Sequence, residues 1–302
     1  MSSTPTDGLA FLCCNTLNFG YHLARWQGSA FRKGYEILLP AVVKRPVRTR
    51  VELPFEVYSY SSESALPEQI ASIRSFLKHA GRPRKFTVVS DGTHSDRSRR
   101  LISGIDPSVV VTSIEEWVPE GVPAQLMPYF SEHPTGKQLR LIMCLPRNGP
   151  ALYVDSDVLF FPGARIPTAF PSLAAAPAFY LRDCQLAADE RLFRSPAEKR
   201  LPVNTGVLLL CRKLDWSLCI ERLLELEGAP TFFTNQTATH LTMHANGAQP
   251  FEKGSFVLQL DDQFIYSDSY AGPKIVLRHY VNPVRHKFWT SLHRSCAKGT
   301  ST

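Results

Sequence analysis

The chain has 302 residues, 44% of them hydrophobic and 20% charged, with a formal net charge of +7. That balance supports a sizeable core and excludes a wholly disordered chain. No apolar run reaches the roughly 18 residues that a membrane-spanning helix needs. The seven cysteines lack C-x-x-C spacing, which excludes a zinc finger and suits a reducing compartment better than a disulfide framework.

The positive charge is concentrated at the two ends. Residues 1–50 hold seven Lys/Arg against Asp7 and Glu36, and residues 274–302 hold six Lys/Arg and no acid, so the middle is net acidic. A nucleic-acid binder of this charge carries a recognisable module. There is no zinc-finger spacing, RNP-like strand or basic zipper, so nucleic acid is not an expected partner. Basic ends suit a phosphate-bearing small molecule or an anionic membrane surface, with Trp26, Phe31, Phe288 and Trp289 as candidate anchors. No basic residue precedes the first short apolar stretch, so no cleaved leader is expected. The expected location is cytoplasmic, with peripheral contact at the inner face of a membrane.

Residues 1–50 read as a basic, aromatic extension containing one helix. A strand is expected at Phe55–Tyr60. Pro67 then opens a helix, with Glu68 at the positive end of its dipole, Ile70, Ile73 and Leu77 on one face, and Gly81 and Pro83 as its stop. Strands follow at Lys85–Ser90 and Ser108–Ile114, and a helix at Gly136–Leu145. Beyond it come strands at Ala151–Asp155, Ala178–Leu181 and Val203–Cys211, a helix at Leu214–Glu227 and a strand at Lys274–Val281. Strands alternating with helices predict an α/β fold in one domain over residues 51–289, with a tail at 290–302. The sheet is Rossmann-like, mostly parallel and covered by helices on both faces. Ligands of such sheets lie outside the carboxyl ends of the strands.

At one such end, in Leu152-Tyr153-Val154-Asp155-Ser156-Asp157-Val158-Leu159, two carboxylates interrupt an apolar run. On an extended backbone Asp155 and Asp157 project to one side. Ionised carboxylates near a core are costly unless paired or bound to metal, and the oxygen pair suits Mn²⁺ or Mg²⁺. The alternative is a strand-end turn that uses two aspartates. His279 is either a structural histidine or a ligand that tilts the choice toward Mn²⁺. It recurs with His286 and His293 every seven residues, a spacing that also marks one side of a helix.

The stretch Leu152–Leu159 resembles the D-x-D element of GT-A-fold glycosyltransferases, especially the glycogenin-like and bacterial lipooligosaccharide galactosyltransferase group. Other positions fall in the family's order. Ser90-Asp91-Gly92 closes the second strand, Asn204-Thr205-Gly206-Val207 is similar to the N-[ST]-G turn, and His279-Tyr280 is similar to the His-aromatic pair whose histidine is the third metal ligand. The resemblance spans about Pro54–Trp289. Its departures are Asn282 where a glycine is usual, Lys287 and Trp289 two residues late, and Asn235-Gln236 where the family has Asp-Gln.

The resemblance implies metal-dependent transfer of a hexosyl group from a nucleotide-diphosphate sugar, a UDP-sugar by expectation, to an unnamed glycan, lipid or protein acceptor. It implies Asp155, Asp157 and His279 as metal ligands, and Gln236 and Asp183 at the donor sugar in catalytic positions. Tyr60, Ser61, Asp91, Ser156, Asn204, Thr205 and Gly206 are expected at the substrate, with Arg285 or Lys287 on the diphosphate. Lys137 and Arg140, three apart on a helix, are either a solvated cationic face or include the donor-directed arginine of the family. Asp183 alternatively pairs with Arg182 or Arg191, and Asp261 and Asp262 are weak candidates for acceptor-side acids. Two other functions remain open. A sugar-phosphate nucleotidyltransferase shares the layout but has a glycine-rich loop after its first strand, and Tyr58–Pro67 contains no glycine. The other is a catalytically silent nucleotide-sugar or carbohydrate-binding protein.

Overall fold

The protein is described by a computed structural model covering residues 18–49, 51–165 and 168–297. The start of the chain and its last five residues, including parts of the expected extension and tail, lie outside the described residues.

The central sheet forms from short apolar runs, buried in its inner strands and more exposed at its edges. These are β1 (Glu56–Ser61), β2 (Phe86–Ser90), β3 (Val109–Ser113), β4 (Ala151–Val154), β6 (Ala178–Arg182), β7 (Val203–Leu210) and β8 (Gln249–Pro250). Their spatial order is β3-β2-β1-β4-β7-β6-β8, and every strand except β7 runs in one direction. Consecutive residues face opposite layers. Val57, Val88, Leu152 and Leu209 pack with α2 (Leu66–His79), whereas Tyr58, Val89, Tyr153 and Leu208 pack with α5 (Pro134–Met143) and α7 (Thr234–Ala245). Helices α4 (Met127–Glu132) and α6 (Ser217–Leu224) complete the second layer.

The sequence missed α3 (Asp96–Ser103), an arginine-rich helix with little apolar periodicity. Ser95 starts it by accepting the Ser98 N–H at 3.2 Å. The helix expected at Gly136–Leu145 starts two residues earlier, with Pro134 in its first turn. The one expected at Leu214–Glu227 shrinks to α6, and the Lys274–Val281 strand to three residues.

A second, three-stranded sheet carries the site. β5 (Val158–Phe160) pairs antiparallel with β10 (Leu277–His279), which pairs parallel with β9 (Phe256–Val257). The register sets His279 opposite Val158, and the Tyr280 N–H donates to the Asp157 carbonyl at 2.9 Å. A segment more than 120 residues away in sequence therefore lands on the Asp155–Asp157 turn.

The first described helix, α1 (Phe19–Lys44), crosses the last, α8 (Arg285–Ala297), at Gly28, where a Cβ would stand 2.4 Å from the His286 carbonyl oxygen. His293 stacks on Phe31 at 4.4 Å, and Trp289 meets Tyr35 at 5.2 Å. The seven-residue histidine spacing thus marks, for His286 and His293, the face of α8 turned to α1. Phe288 and Trp289, expected as membrane anchors, are core residues packed with Leu159, Phe161 and Tyr280. On α1 it is Phe19, Leu23, Trp26 and Ile37 that are exposed.

Below His279, a buried ion network ties α8 and the 259–270 loop to β10. The Arg278 guanidinium, fully buried, donates to Asp268 and to both oxygens of Asp262 at 2.8 and 3.0 Å, and lies 5.0 Å from each of the Tyr270 and Tyr280 rings. Lys287 lies 3.2 Å from Asp262 and donates to the carbonyls of Ile265 and Ser267. Asp262, expected as an acceptor-side acid, is instead this network's buried anion, and Asp261 accepts from the Tyr270 hydroxyl. Replacing one partner of such a network strands buried charge, at a cost of about 3–5 kcal/mol. Arg278→Ala is accordingly expected to lower the free energy of urea unfolding by about that amount. A loss under about 1 kcal/mol would show that the network is incidental.

Candidate metal centre and donor edge

Strands β1, β2 and β4 run parallel in register, so Ser61, Ser90 and Val154 end at one edge of the sheet. Tyr60 and Ser61 close β1, Asp91 follows β2, and Asp155 follows β4. The Asp155–Asp157 segment is a tight turn, not the extended run expected from sequence: the Val158 N–H donates to the Asp155 carbonyl at 3.3 Å. Same-side projection along a strand is therefore not what brings the carboxylates together. The turn does so, backed by Asp155 N–H donating to the Gly206 carbonyl at 2.8 Å.

Asp155, Asp157 and His279 each offer one ligand atom, and these atoms lie within 4.8 Å of one another. His279 Nε2 is 3.0 Å from Asp157 Oδ1 and 3.7 Å from Asp155 Oδ2. The Arg285 guanidinium donates to Asp157 Oδ2 at 2.6 Å. Asp155 Oδ1 accepts from the Tyr153 hydroxyl at 2.8 Å and from Gln138 Nε2 at 2.9 Å, and Gln138 in turn accepts from Asn235 at 2.8 Å. Burial pushes the Asp155 carboxyl up, with His279 opposing. Burial also works against ionised Asp157, but His279 and Arg285 prevail and hold its carboxyl down to about 2. The His279 imidazole is raised because Asp157 outweighs the desolvation that would lower it.

A second cluster adjoins the first through Asn204. Its Oδ1 accepts the Gly206 N–H at 2.9 Å and faces His279 Nδ1 at 2.9 Å, so the imidazole proton lies on Nδ1 and Nε2 points at the carboxylates. Its Nδ2 donates to Asp183 Oδ2 at 3.1 Å, and Gln236 Nε2 donates to the same oxygen at 3.2 Å and to the Ala187 carbonyl at 2.9 Å. Of the two alternative partners suggested for Asp183, Arg191 pairs with Asp189, and Arg182 forms no ion pair among the described residues. Thr205 is buried within β7. Gly206 is sterically obligatory: a Cβ there would stand 2.1 Å from His279 Cε1.

Other expected residues separate. Lys137 reaches the sheet edge, donating to the Asp91 carbonyl at 3.3 Å, while the Asp91 carboxylate is turned to Thr93. Arg140 points elsewhere: it is buried, donates to the carbonyls of Trp117 and Glu115, and lies 3.7 Å from the Glu115 carboxylate. Of the two cations expected at the diphosphate, Arg285 is the one beside Asp157, since Lys287 is committed to the Arg278 network. Ser156 sits in the turn between the two aspartates. Sequence reasoning missed Gln138 and treated Asn235 only as a departure. Neither carries a charge or a periodic signal, and only their packing across α5 and α7 brings them to Asp155.

No family model matches the sequence, and no curated protein matches it. Among solved structures, the galactosyltransferase LgtC, in complex with donor and acceptor sugar analogues, matches with a TM-score of 0.53 at 13% identity. The match covers 80% of this chain and 96% of that one. The bifunctional glycosyltransferase WbbM also gives 0.53, at 12% identity, over 83% of this chain and 51% of WbbM. The shared feature is the fold: this chain has the α/β architecture of GT-A glycosyltransferases.

Gly206→Ala provides a test of the cluster that replaces none of its ligand residues. The added methyl forces His279 away from Asp157, so the affinity for Mn²⁺ measured by calorimetry should fall about 10–100-fold, the range for disturbing the support of a metal ligand. Unaltered affinity would mean that His279 does not take part in metal binding.

Proposed function

We propose that the chain is a metal-dependent glycosyltransferase that moves a hexosyl group from a nucleotide-diphosphate sugar, most simply a UDP-sugar, to a glycan, lipid or protein acceptor. The observation that carries this reading is the convergence of Asp155, Asp157 and His279 at the carboxyl-end edge of a GT-A sheet.

The residues fit a divalent cation on their own chemistry. Two carboxylates face an imidazole whose Nδ1 proton is held by Asn204, so a neutral His279 directs a lone pair at two anions. A proton or a metal ion on Nε2 resolves that repulsion, and metal binding there displaces the proton. The mixed oxygen and nitrogen donor set favours Mn²⁺ over Mg²⁺. When bound, the cation supplies Lewis-acid neutralisation of the charge that builds on the departing diphosphate.

The chain's own groups do the rest. Arg285, half-exposed beside Asp157, adds a fixed positive charge for the leaving diphosphate. Tyr60, Ser61, Asp91 and Lys137 line the edge where the nucleoside lies. Asp183 and Gln236, tied to Asn204, accept and donate hydrogen bonds to donor-sugar hydroxyls. Arg140 has no part in this arrangement, because its guanidinium is spent on Trp117 and Glu115. The segment after β1 has no glycine-rich phosphate loop, which favours transfer over nucleotidyl chemistry.

No helix among the described residues is long and apolar enough to cross a membrane. The exposed stripe Phe19, Leu23, Trp26 and Ile37 on α1, flanked by Lys33 and Lys44, suits peripheral contact with an anionic cytoplasmic leaflet.

Asp157→Asn tests the metal role. Mn²⁺-dependent UDP affinity should collapse and sugar transfer or donor hydrolysis should fall by orders of magnitude. Stability without metal should fall rather than rise, because Asp157 is the partner of both His279 and Arg285. Full manganese-dependent turnover in this variant would sink the assignment. Arg285→Gln is expected to weaken UDP binding and flatten its salt dependence without abolishing Mn²⁺ binding. Isothermal titration at several ionic strengths reads both, and an unchanged salt slope would remove Arg285 from the diphosphate. A protein that binds UDP and Mn²⁺ but turns over no nucleotide sugar would be a silent binding protein.

A further inference from the structure

A cavity of about 700 Å³ opens beside the C-terminal half of α2, between the end of α1, residues 45–48 with Val51, and β5. Because α2 begins beside the carboxyl end of β1 and ends beside the start of β2, this cavity lies at the opposite end of that crossover from Ser61 and the donor edge. It is separate from every residue of the proposed transferase site. Its size falls within the about 300–1,000 Å³ of small-molecule sites.

Its lining has two parts. The wall is apolar: Leu77, Leu159, Phe160 and Phe161 form its buried back, and Val42, Val47, Val51 and Leu292 give it accessible apolar surface. Beside the hydroxyls of Tyr35 and Ser75, its remaining polarity is cationic: Arg45, Arg48, Arg74, Lys78 and Arg165 line it, and among the described residues no acidic side chain does. Arg45, Arg48, Lys78 and Arg165 are exposed and have no ion-pair partner among the described residues. His79 also lines the cavity. It is 6% exposed, its Nδ1 has no hydrogen-bond partner, and burial drives its imidazole down to about 3, so it is a neutral polar group at the apolar wall.

An all-cationic rim over an apolar wall is an unusual combination for a packing gap. A purely apolar void needs no charges, and a solvated cationic surface needs no apolar cavity behind it. Both parts are used at once by one kind of ligand. We propose that this cavity binds a single-chain amphiphile with an anionic head group, its alkyl chain over Val42, Val47, Val51 and Leu292 and its head among Arg45, Arg48, Lys78 and Arg165. The head meets charge-assisted hydrogen bonds from arginine, the side chain best shaped for phosphate and carboxylate. The chain is held by burial, with an affinity that grows with each methylene.

The test is titration calorimetry of the full chain with dodecyl phosphate below its micellar threshold, beside decyl phosphate, inorganic phosphate and dodecyltrimethylammonium. Dodecyl phosphate should bind at one site, decyl phosphate about tenfold more weakly, and the other two not measurably. Arg48→Glu combined with Arg165→Glu should weaken dodecyl phosphate at least tenfold while leaving the thermal unfolding temperature unchanged, since both side chains are exposed. Amide hydrogen exchange should show protection by the ligand over residues 71–80 and 159–161. The proposal fails if dodecyl phosphate does not bind, if the cationic amphiphile binds equally well, or if the double variant binds as the parent does. Protection that falls on the exposed face of α1 instead would likewise assign the binding to that surface and overturn the cavity site.

Discussion

Two carboxylates held in one turn at the end of a buried strand repel each other, and the rest of the site is arranged around relieving that repulsion. The relief is unequal. Asp155 receives only neutral donors, Tyr153 and Gln138, and its carboxyl is pushed up by burial. Asp157 receives His279 and Arg285 and is held low. Both cationic partners come from the last part of the chain, so the turn is electrostatically complete only after β10 has paired with β5. The buried Arg278 network, one residue before His279, fastens that pairing to α8 and the 259–270 loop. A site that looks local in sequence is therefore contingent on long-range closure.

Asn204 joins the Asp155, Asp157 and His279 cluster to the Asp183 and Gln236 cluster through opposite ends of a single amide. Its oxygen is committed to the Gly206 N–H and His279 Nδ1, and its nitrogen to Asp183. This leaves one orientation for the amide and one tautomer for the imidazole. The neighbouring Gly206 lets the imidazole approach the strand more closely than any side chain would permit. The three-residue run Asn204-Thr205-Gly206 acts through geometry in two of its members, one as a hydrogen-bond junction and one as an absence of volume.

Much of this was legible in the chain, for identifiable reasons. The buried strands β1, β2, β4 and β7 announce themselves as apolar runs with turn residues at their ends, and the paired aspartates stand out because charge in such a run is costly. The glycine and the asparagine of β7 were visible as a motif, though not the reason for either. Helix α3 escaped because its arginines hide any apolar period, and its start depends on a single serine cap. Side-chain direction was beyond reach. Lys137 and Arg140 share a helix face by spacing, yet Lys137 meets the Asp91 carbonyl while Arg140 dives under Trp117. Phe288 and Trp289 read as surface anchors because they sit among basic residues, whereas their burial is decided by α1 packing across α8. In each case the missing information is a partner distant in sequence.

The three-residue strand β5 connects the two ends of this molecule. Asp157 immediately precedes it, and Leu159 and Phe160 belong to the basic-rimmed cavity. One edge of β5 is paired with β10, and on the other side the Phe160 N–H donates to the Ser75 hydroxyl of α2 at 3.1 Å, a buried bond. Gly163, just beyond, abuts the carbonyls of Lys274 and Ile275, where a Cβ would come within 2.4 Å. A strand held on both sides and followed by a backbone contact this close has little freedom to slide. Filling the cavity therefore meets a rigid wall, and Asp157 keeps its geometry whether or not that wall is covered. By this argument the fold keeps the Asp155–Asp157 turn mechanically apart from the cationic cavity at the far end of α2, although the two share a strand.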